Sequence, residues 1–140
     1  MSEKISLKSL LVPSKEVESE YPGMPGFKVK LTFLSRETLV SIRKKASKTT
    51  YKNRQAVEEI DDELFLKLYV AATVKGWSGL KYSYLEKLAP VDLAGKDPET
   101  MLDYSEDNAL AIMKASTDFD SFVSDVVSDL GNFSKSSSNA

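Results

Sequence analysis

The chain has 140 residues, 41% of them hydrophobic, with 19 Lys and Arg against 21 Asp and Glu and a formal net charge of −2. That fits one domain with a sizeable core and argues against a general nucleic-acid coat. Neither cysteine nor histidine occurs, which excludes a disulfide framework, zinc–thiolate chemistry and any Ser–His or Cys–His nucleophile pair.

The opening MSEKISLKSLL lacks the long apolar core and small-residue cleavage site of a secretory signal, so a soluble cytosolic protein is expected. Ile5 to Val12 alternates weakly before Pro13 and reads as a short edge strand. Lys15 to Glu20 is polar around Val17, and Tyr21-Pro22-Gly23-Met24-Pro25-Gly26 is a dense turn signal. Phe27 to Phe33 alternates strictly, with Phe27, Val29, Leu31 and Phe33 on one side and Lys28, Lys30 and Thr32 on the other. It predicts a half-buried strand that pairs with the preceding segment as a hairpin.

Ser35 is a suitable N-cap for a helix to about Ser47, with a stripe of Leu39, Ile42 and Ala46 and a staple from Leu34. Thr49 to Gln55 reads as a polar loop. Asp61, Asp62 and Glu63 then open an apolar run to Val74, broken only by Lys67 and Thr73. A helix apolar nearly all round predicts a central rod over about 61–75, with Leu64 and Leu68 in the core and Gly76 as its stop. Trp77 is expected at the helix end as a core plug whose indole N–H finds a partner, ahead of a ligand platform.

KYSYLEKL, Lys81 to Leu88, has helical spacing and ends at Pro90; Val91 to Met101 is a connection. Ser105 caps a helix carrying Leu110, Ile112 and Met113, which Ser116 to Asp118 interrupts. Asp118 opens a last amphipathic helix with Phe119, Phe122, Val123, Val126, Val127 and Leu130 on one broad face and Gly131 as its C-cap. Residues 132–140 have the composition of a flexible tail. The expected fold is α+β: an N-terminal hairpin or small antiparallel sheet (about 1–34), then a mainly helical part (35–131) around the central helix, all in one domain.

No catalytic, cofactor-binding or metal-ligating set emerges. Adjacent pairs such as Asp61/Asp62 and Glu58/Glu59 do not face one way on a helix and serve as helix-start charges; GMPG and GWSG lack the Lys-Ser/Thr of a phosphate loop. Two charge blocks differ in sign. Arg36, Arg43, Lys44, Lys45, Lys48, Lys52 and Arg54 crowd the first long helix and the loop after it, while Asp97, Glu99, Asp103, Glu106, Asp107, Asp118, Asp120, Asp125 and Asp129 crowd the last third. Each block alone reads as a solvated face. Together they predict steered docking to a partner and weak, salt-sensitive self-association.

Three stretches recur in a familiar order: Val74-Lys75-Gly76-Trp77-Ser78-Gly79-Leu80, Tyr104-Ser105-Glu106-Asp107-Asn108-Ala109-Leu110, and Phe119-Asp120-Ser121-Phe122-Val123. In a chain of this size they resemble the tail assembly chaperones of long-tailed, siphovirus-type bacteriophages, over roughly Val57 to Phe133. The resemblance implies a protein without enzymatic activity or cofactor. It would hold the helical, aggregation-prone tape measure protein and recruit tail tube protein in the host bacterial cytoplasm, and be absent from the finished virion. Many members of that family are made in two lengths by ribosomal frameshifting, and Gly131-Asn132-Phe133 is a tripeptide that a slippery heptamer could encode. No nucleic acid or membrane partner is expected. Candidate partner-binding residues are Phe119, Phe122 and Val126 on the last helix and Arg43, Lys44 and Lys45 on the basic one; the outward side of the Phe27–Phe33 strand is a further candidate surface. The bland alternative for the last helix is packing onto Leu64–Val74. The alternative function is an adaptor domain for a charged protein partner.

Overall fold

The computed structural model describes residues 6–11 and 15–129. In chain order the elements are α1 (Leu7–Leu10), β1 (Glu16–Glu20), β2 (Lys28–Thr32), α2 (Arg36–Lys45), β3 (Ser47–Lys52), β4 (Gln55–Ile60), α3 (Asp62–Thr73), β5 (Val74–Ser78), α4 (Tyr82–Leu88), α5 (Glu106–Ala115) and α6 (Thr117–Ser128). The fold is α+β, with a small antiparallel sheet followed by helices.

The strict alternation of β2 sets the architecture. Phe27, Val29 and Leu31 are wholly buried, while Lys28 and Lys30 face solvent. β1 pairs with β2 from Glu16 opposite Thr32 to Glu20 opposite Lys28, so the expected hairpin is present. The exposed glutamates of β1 protect an edge strand from further pairing. Against the apolar face of β2 lies α6, whose Phe119, Val123 and Val127 are buried together with Ala109, Ile112 and Met113 of α5. A backbone bond from Leu34 N–H to Val127 O (3.0 Å) ties the chain leaving β2 to the end of α6.

Four helix starts follow their cap chemistry. The side chains of Ser35, Asp61, Ser105 and Ser116 each accept a backbone N–H three residues on, from Thr38, Leu64, Asn108 and Phe119. Ser116 ends α5 and begins α6, which explains the interruption read there.

Several expectations are corrected. Leu7–Leu10 is a helical turn, not an edge strand; Leu7, Leu10 and Leu11 follow the i, i+3, i+4 spacing of a helix rather than the period of a strand. Ile5, Val12 and Pro13 lie outside the described residues, as do Leu130, Gly131 and the expected tail.

The central helix ends at Thr73, and Val74–Ser78 is the third strand of the sheet, in the order β1-β2-β5. Gly76 is thus a strand residue opposite Lys30, and Trp77 stands opposite Val29. Pairing with β2 decides the conformation of this segment, overriding the continuity of the apolar run.

Nor is α3 an enclosed rod. It buries Val70 and Thr73, but Leu64 is 38% exposed and Leu68 only half-buried. The enclosed position belongs to β2 instead. The last helix packs on β2, α5 and α4; its link to α3 is a hydrogen bond between the Tyr69 and Ser124 hydroxyls (3.2 Å).

The polar stretch after α2 is likewise not a loop. β3 and β4 form a separate two-stranded ribbon, paired from Ser47 opposite Ile60 to Lys52 opposite Gln55. The turn residues Asn53 and Arg54 have φ of 52° and 65°, the two positive angles of a type I′ hairpin turn. Asn accepts this conformation readily; Arg does so at a cost of about 1 kcal/mol. Arg54→Gly should therefore slow amide exchange within the ribbon about fivefold. Unchanged exchange at Thr50 and Val57 would show that the turn carries no such strain.

Candidate functional site

The sequence Tyr21-Pro22-Gly23-Met24-Pro25-Gly26-Phe27 builds the first wall of the site. Pro presets φ at the second position of a β-turn, and Gly supplies positive φ at the third. This happens twice in succession. Met24 N–H bonds Tyr21 O and Phe27 N–H bonds Met24 O, both at 3.1 Å, with Gly23 at φ 79° and Gly26 at φ 87°. The double turn closes on itself through Tyr21 N–H to Phe27 O (2.8 Å), which holds the Tyr21 ring beside the start of α6.

The second wall is α6. Asp118, Ser121, Phe122, Asp125 and Val126 recur at three- and four-residue intervals and so share one side of the helix. That side is turned away from the buried row Phe119, Val123 and Val127. Between the walls runs an open groove of about 420 Å³, lined by Tyr21, Pro22, Asp118, Ser121, Phe122, Asp125 and Val126. Tyr21, Pro22, Phe122 and Val126 give it an apolar base, and Asp118 and Asp125 are exposed carboxylates in its lining.

The floor is anchored in the interior by a chain of aromatic rings. Phe122 lies 4.7 Å from Tyr21 between centroids, and Tyr21 stacks on Phe27 (5.5 Å) and Phe119 (6.2 Å). Phe119 meets Trp77 edge-on at 6.3 Å, and Trp77 meets Tyr104 edge-on at 5.2 Å. Aromatic pairs in these geometries add about 0.5–1.5 kcal/mol each beyond area burial. The Trp77 indole N–H donates to Leu102 O (2.9 Å) and Tyr104 OH to Val74 O (2.9 Å), and nearby Tyr84 OH donates to Pro25 O (2.7 Å). Burial, and then the negative charge of Asp118, push the Tyr21 phenol above its ordinary pKa. It therefore stays neutral at physiological pH, and the groove carries the carboxylate charge alone.

The structure divides the predicted site residues. Phe122 and Val126 are half-buried and line the groove. Phe119 is wholly buried and belongs to the core. Arg43, Lys44 and Lys45 are exposed in the last turn of α2, where cations complement the negative helix end; they sit on a different element from the groove. On the outward side of β2, Lys28 and Lys30 stand opposite Glu20 and Glu18, a charged surface rather than an apolar one. Trp77 is half-buried and packs against the core through the ring contacts above. Asp118 and Asp125, read from the sequence only as part of the acidic block, complete the site with Tyr21, Pro22 and Ser121, which were not read as site residues. The signal available for the two aspartates was their place at the border between the polar and apolar sides of α6.

Of the acidic pairs weighed above, Asp61/Asp62 open α3 as expected, but Glu58 and Glu59 lie in β4 rather than at a helix start. Asp61 caps α3 through Leu64 N–H (3.2 Å), and Glu59 pairs with Lys52 across the ribbon (2.8 Å). Among the described residues no cluster of three or more acidic side chains could hold a metal ion, and no helix is long and apolar enough to cross a membrane. A cleft of about 30 Å³ between α3 and α5, lined by Lys67, Val70, Ala71, Tyr104, Glu106, Asp107 and Leu110, has room for ordered water rather than a metabolite. No protein-family model, curated protein or solved structure matches this chain.

Proposed function

We propose that this chain is a non-catalytic tail assembly chaperone of a long-tailed bacteriophage. In this reading it holds the tape measure protein and recruits tail tube protein in the host cytoplasm before the tail is finished. The observation that carries the reading is the groove along α6. An apolar floor of Phe122 and Val126, walled by Tyr21 and Pro22 and bordered by Asp118 and Asp125, is the complement of an amphipathic helix with basic flanks. Such a surface works by mass action: occupying a client's apolar stripe lowers the concentration free to aggregate. Leu64, Val40 and Ile60, each 38–51% exposed on α3, α2 and β4, offer further apolar area.

Co-expression with the tape measure protein of the same genome should keep that client soluble. Phe122→Asp combined with Val126→Asp should abolish the effect, since each puts a charge where the client's apolar side chains would sit. The variant's circular dichroism establishes whether it is folded. A client that aggregates equally with and without the wild-type chain would refute the reading.

The second reading is an adaptor for a charged partner, supported by the exposed Arg43, Lys44 and Lys45 of α2. It is distinguished by binding that tolerates Phe122→Asp with Val126→Asp and fails when these cations are replaced.

A further inference from the structure

The β3–β4 ribbon stands apart from the three-stranded sheet. It has no third strand, so both of its strands are edges. A two-stranded hairpin by itself is at best marginally stable in water. One of its sides carries Tyr51, Ala56 and Ile60; Tyr51 is 76% exposed and Ile60 42%. Its tip reads Tyr51-Lys52-Asn53-Arg54: the Tyr51 ring and the Arg54 cation are exposed there, while Lys52 is paired with Glu59 (2.8 Å). The chain enters the ribbon directly from α2 and leaves it directly into α3, and Asp61 N–H to Ala46 O (2.8 Å) clamps its base. Its direction is therefore set by those helices, and none of the residues lining the α6 groove comes from it.

The tip and the groove are complementary. The groove has an aromatic and aliphatic lining open to a ring, and two carboxylates at its border; the tip offers the Tyr51 ring and the Arg54 cation. We propose that the ribbon tip of one copy docks into the α6 groove of a second copy. Tyr51 would lie against Tyr21 and Phe122, with Arg54 of the turn facing the carboxylate border of Asp118 and Asp125, while Lys52, on the other side of the ribbon, stays paired with Glu59. Because the two patches are different surfaces of the same chain, the contact is head-to-tail and leaves a free tip at one end and a free groove at the other. The inference goes beyond client holding, although the two share a groove, and its test contains no client.

The test is sedimentation of the full chain with two variants, each checked for native circular dichroism. The tip variant is Tyr51→Ser with Arg54→Glu; the groove variant is Ser121→Lys with Asp125→Lys. All four positions are exposed. Wild type should associate with increasing concentration at low salt, and its association constant should fall about threefold at high salt, as expected for one exposed ion pair. Each variant alone should remain monomeric. An equimolar mixture should form a one-to-one dimer that grows no further, since one partner keeps an intact groove and the other an intact tip. A wild type that stays monomeric at high concentration and low salt overturns the proposal. So does a variant that associates as wild type does, or a mixture that remains monomeric.

Discussion

Phe119→Ala should lower the unfolding free energy by about 3–5 kcal/mol, a large part of the roughly 5–15 kcal/mol available to a domain of this kind. Phe119 is wholly buried, and its ring touches Tyr21, Phe27, Trp77 and Phe122. Truncation removes the transfer energy of the ring and leaves a cavity. The surroundings cannot readily collapse into it, because Trp77 and Tyr104 are pinned by hydrogen bonds to Leu102 O and Val74 O. Phe122→Ala, three residues on and half exposed, should cost no more than about 1.5 kcal/mol while removing the groove floor. Urea denaturation separates the two: the Phe119 variant should show a much lower midpoint at similar slope, and the Phe122 variant a midpoint near wild type. Equal losses would mean that the division between core and groove on α6 is wrong.

That division marks how far local chemistry reaches. The caps at Ser35, Asp61, Ser105 and Ser116 were legible because a cap needs only its own side chain and a backbone N–H three residues away. β2 was legible because Phe27, Val29 and Leu31 alternate with Lys28 and Lys30, although Thr32, read on the lysine side, is buried. The last helix was legible as an amphipathic element, but its apolar residues span a broad arc. The arc alone does not say that Phe119 points to the sheet while Phe122 points past it. The sheet and the double turn decide that, and they lie about a hundred residues earlier in the chain.

The ribbon was hidden for a different reason. β3 and β4 carry polar residues on both sides, so they present no period-two apolar signal, and Asn53-Arg54 lacks the Gly that makes a type I′ turn conspicuous. β5 was hidden because an apolar helix runs straight into it. Only the row of backbone groups on β2 draws Val74–Ser78 into the sheet. The groove was half legible: Phe122 and Val126 from periodicity, but not the Tyr21-Pro22 wall, which long-range packing brings to them.

Gly79→Ala should be the most disruptive single-methyl change in the chain. Gly79 has φ +79°, where an L side chain is strained by about 1–2 kcal/mol. A Cβ there would also sit 2.0 Å from the Gly26 carbonyl oxygen and 2.8 Å from its carbon. These are backbone atoms of the second Pro-Gly turn and have no rotamer through which to escape. Turn and strand would have to separate, disturbing the seat of Tyr21 and the neighbouring Phe27, which is wholly buried. Strain and overpacking together should cost about 3–5 kcal/mol.

Gly23→Ala is the matched control. Its φ is the same +79°, but nothing lies within 4 Å of the added methyl, so it should cost only about 1–2 kcal/mol. The difference between the two variants in chemical denaturation isolates the contact between the Gly79 and Gly26 backbones. Groove function should follow it. The Gly79 variant should lose client holding even under conditions where most molecules are folded, because the wall carrying Tyr21 and Pro22 is displaced, whereas the Gly23 variant should keep more of it. Equal costs for the two substitutions would show that the close approach of Gly79 to the turn does not hold in solution.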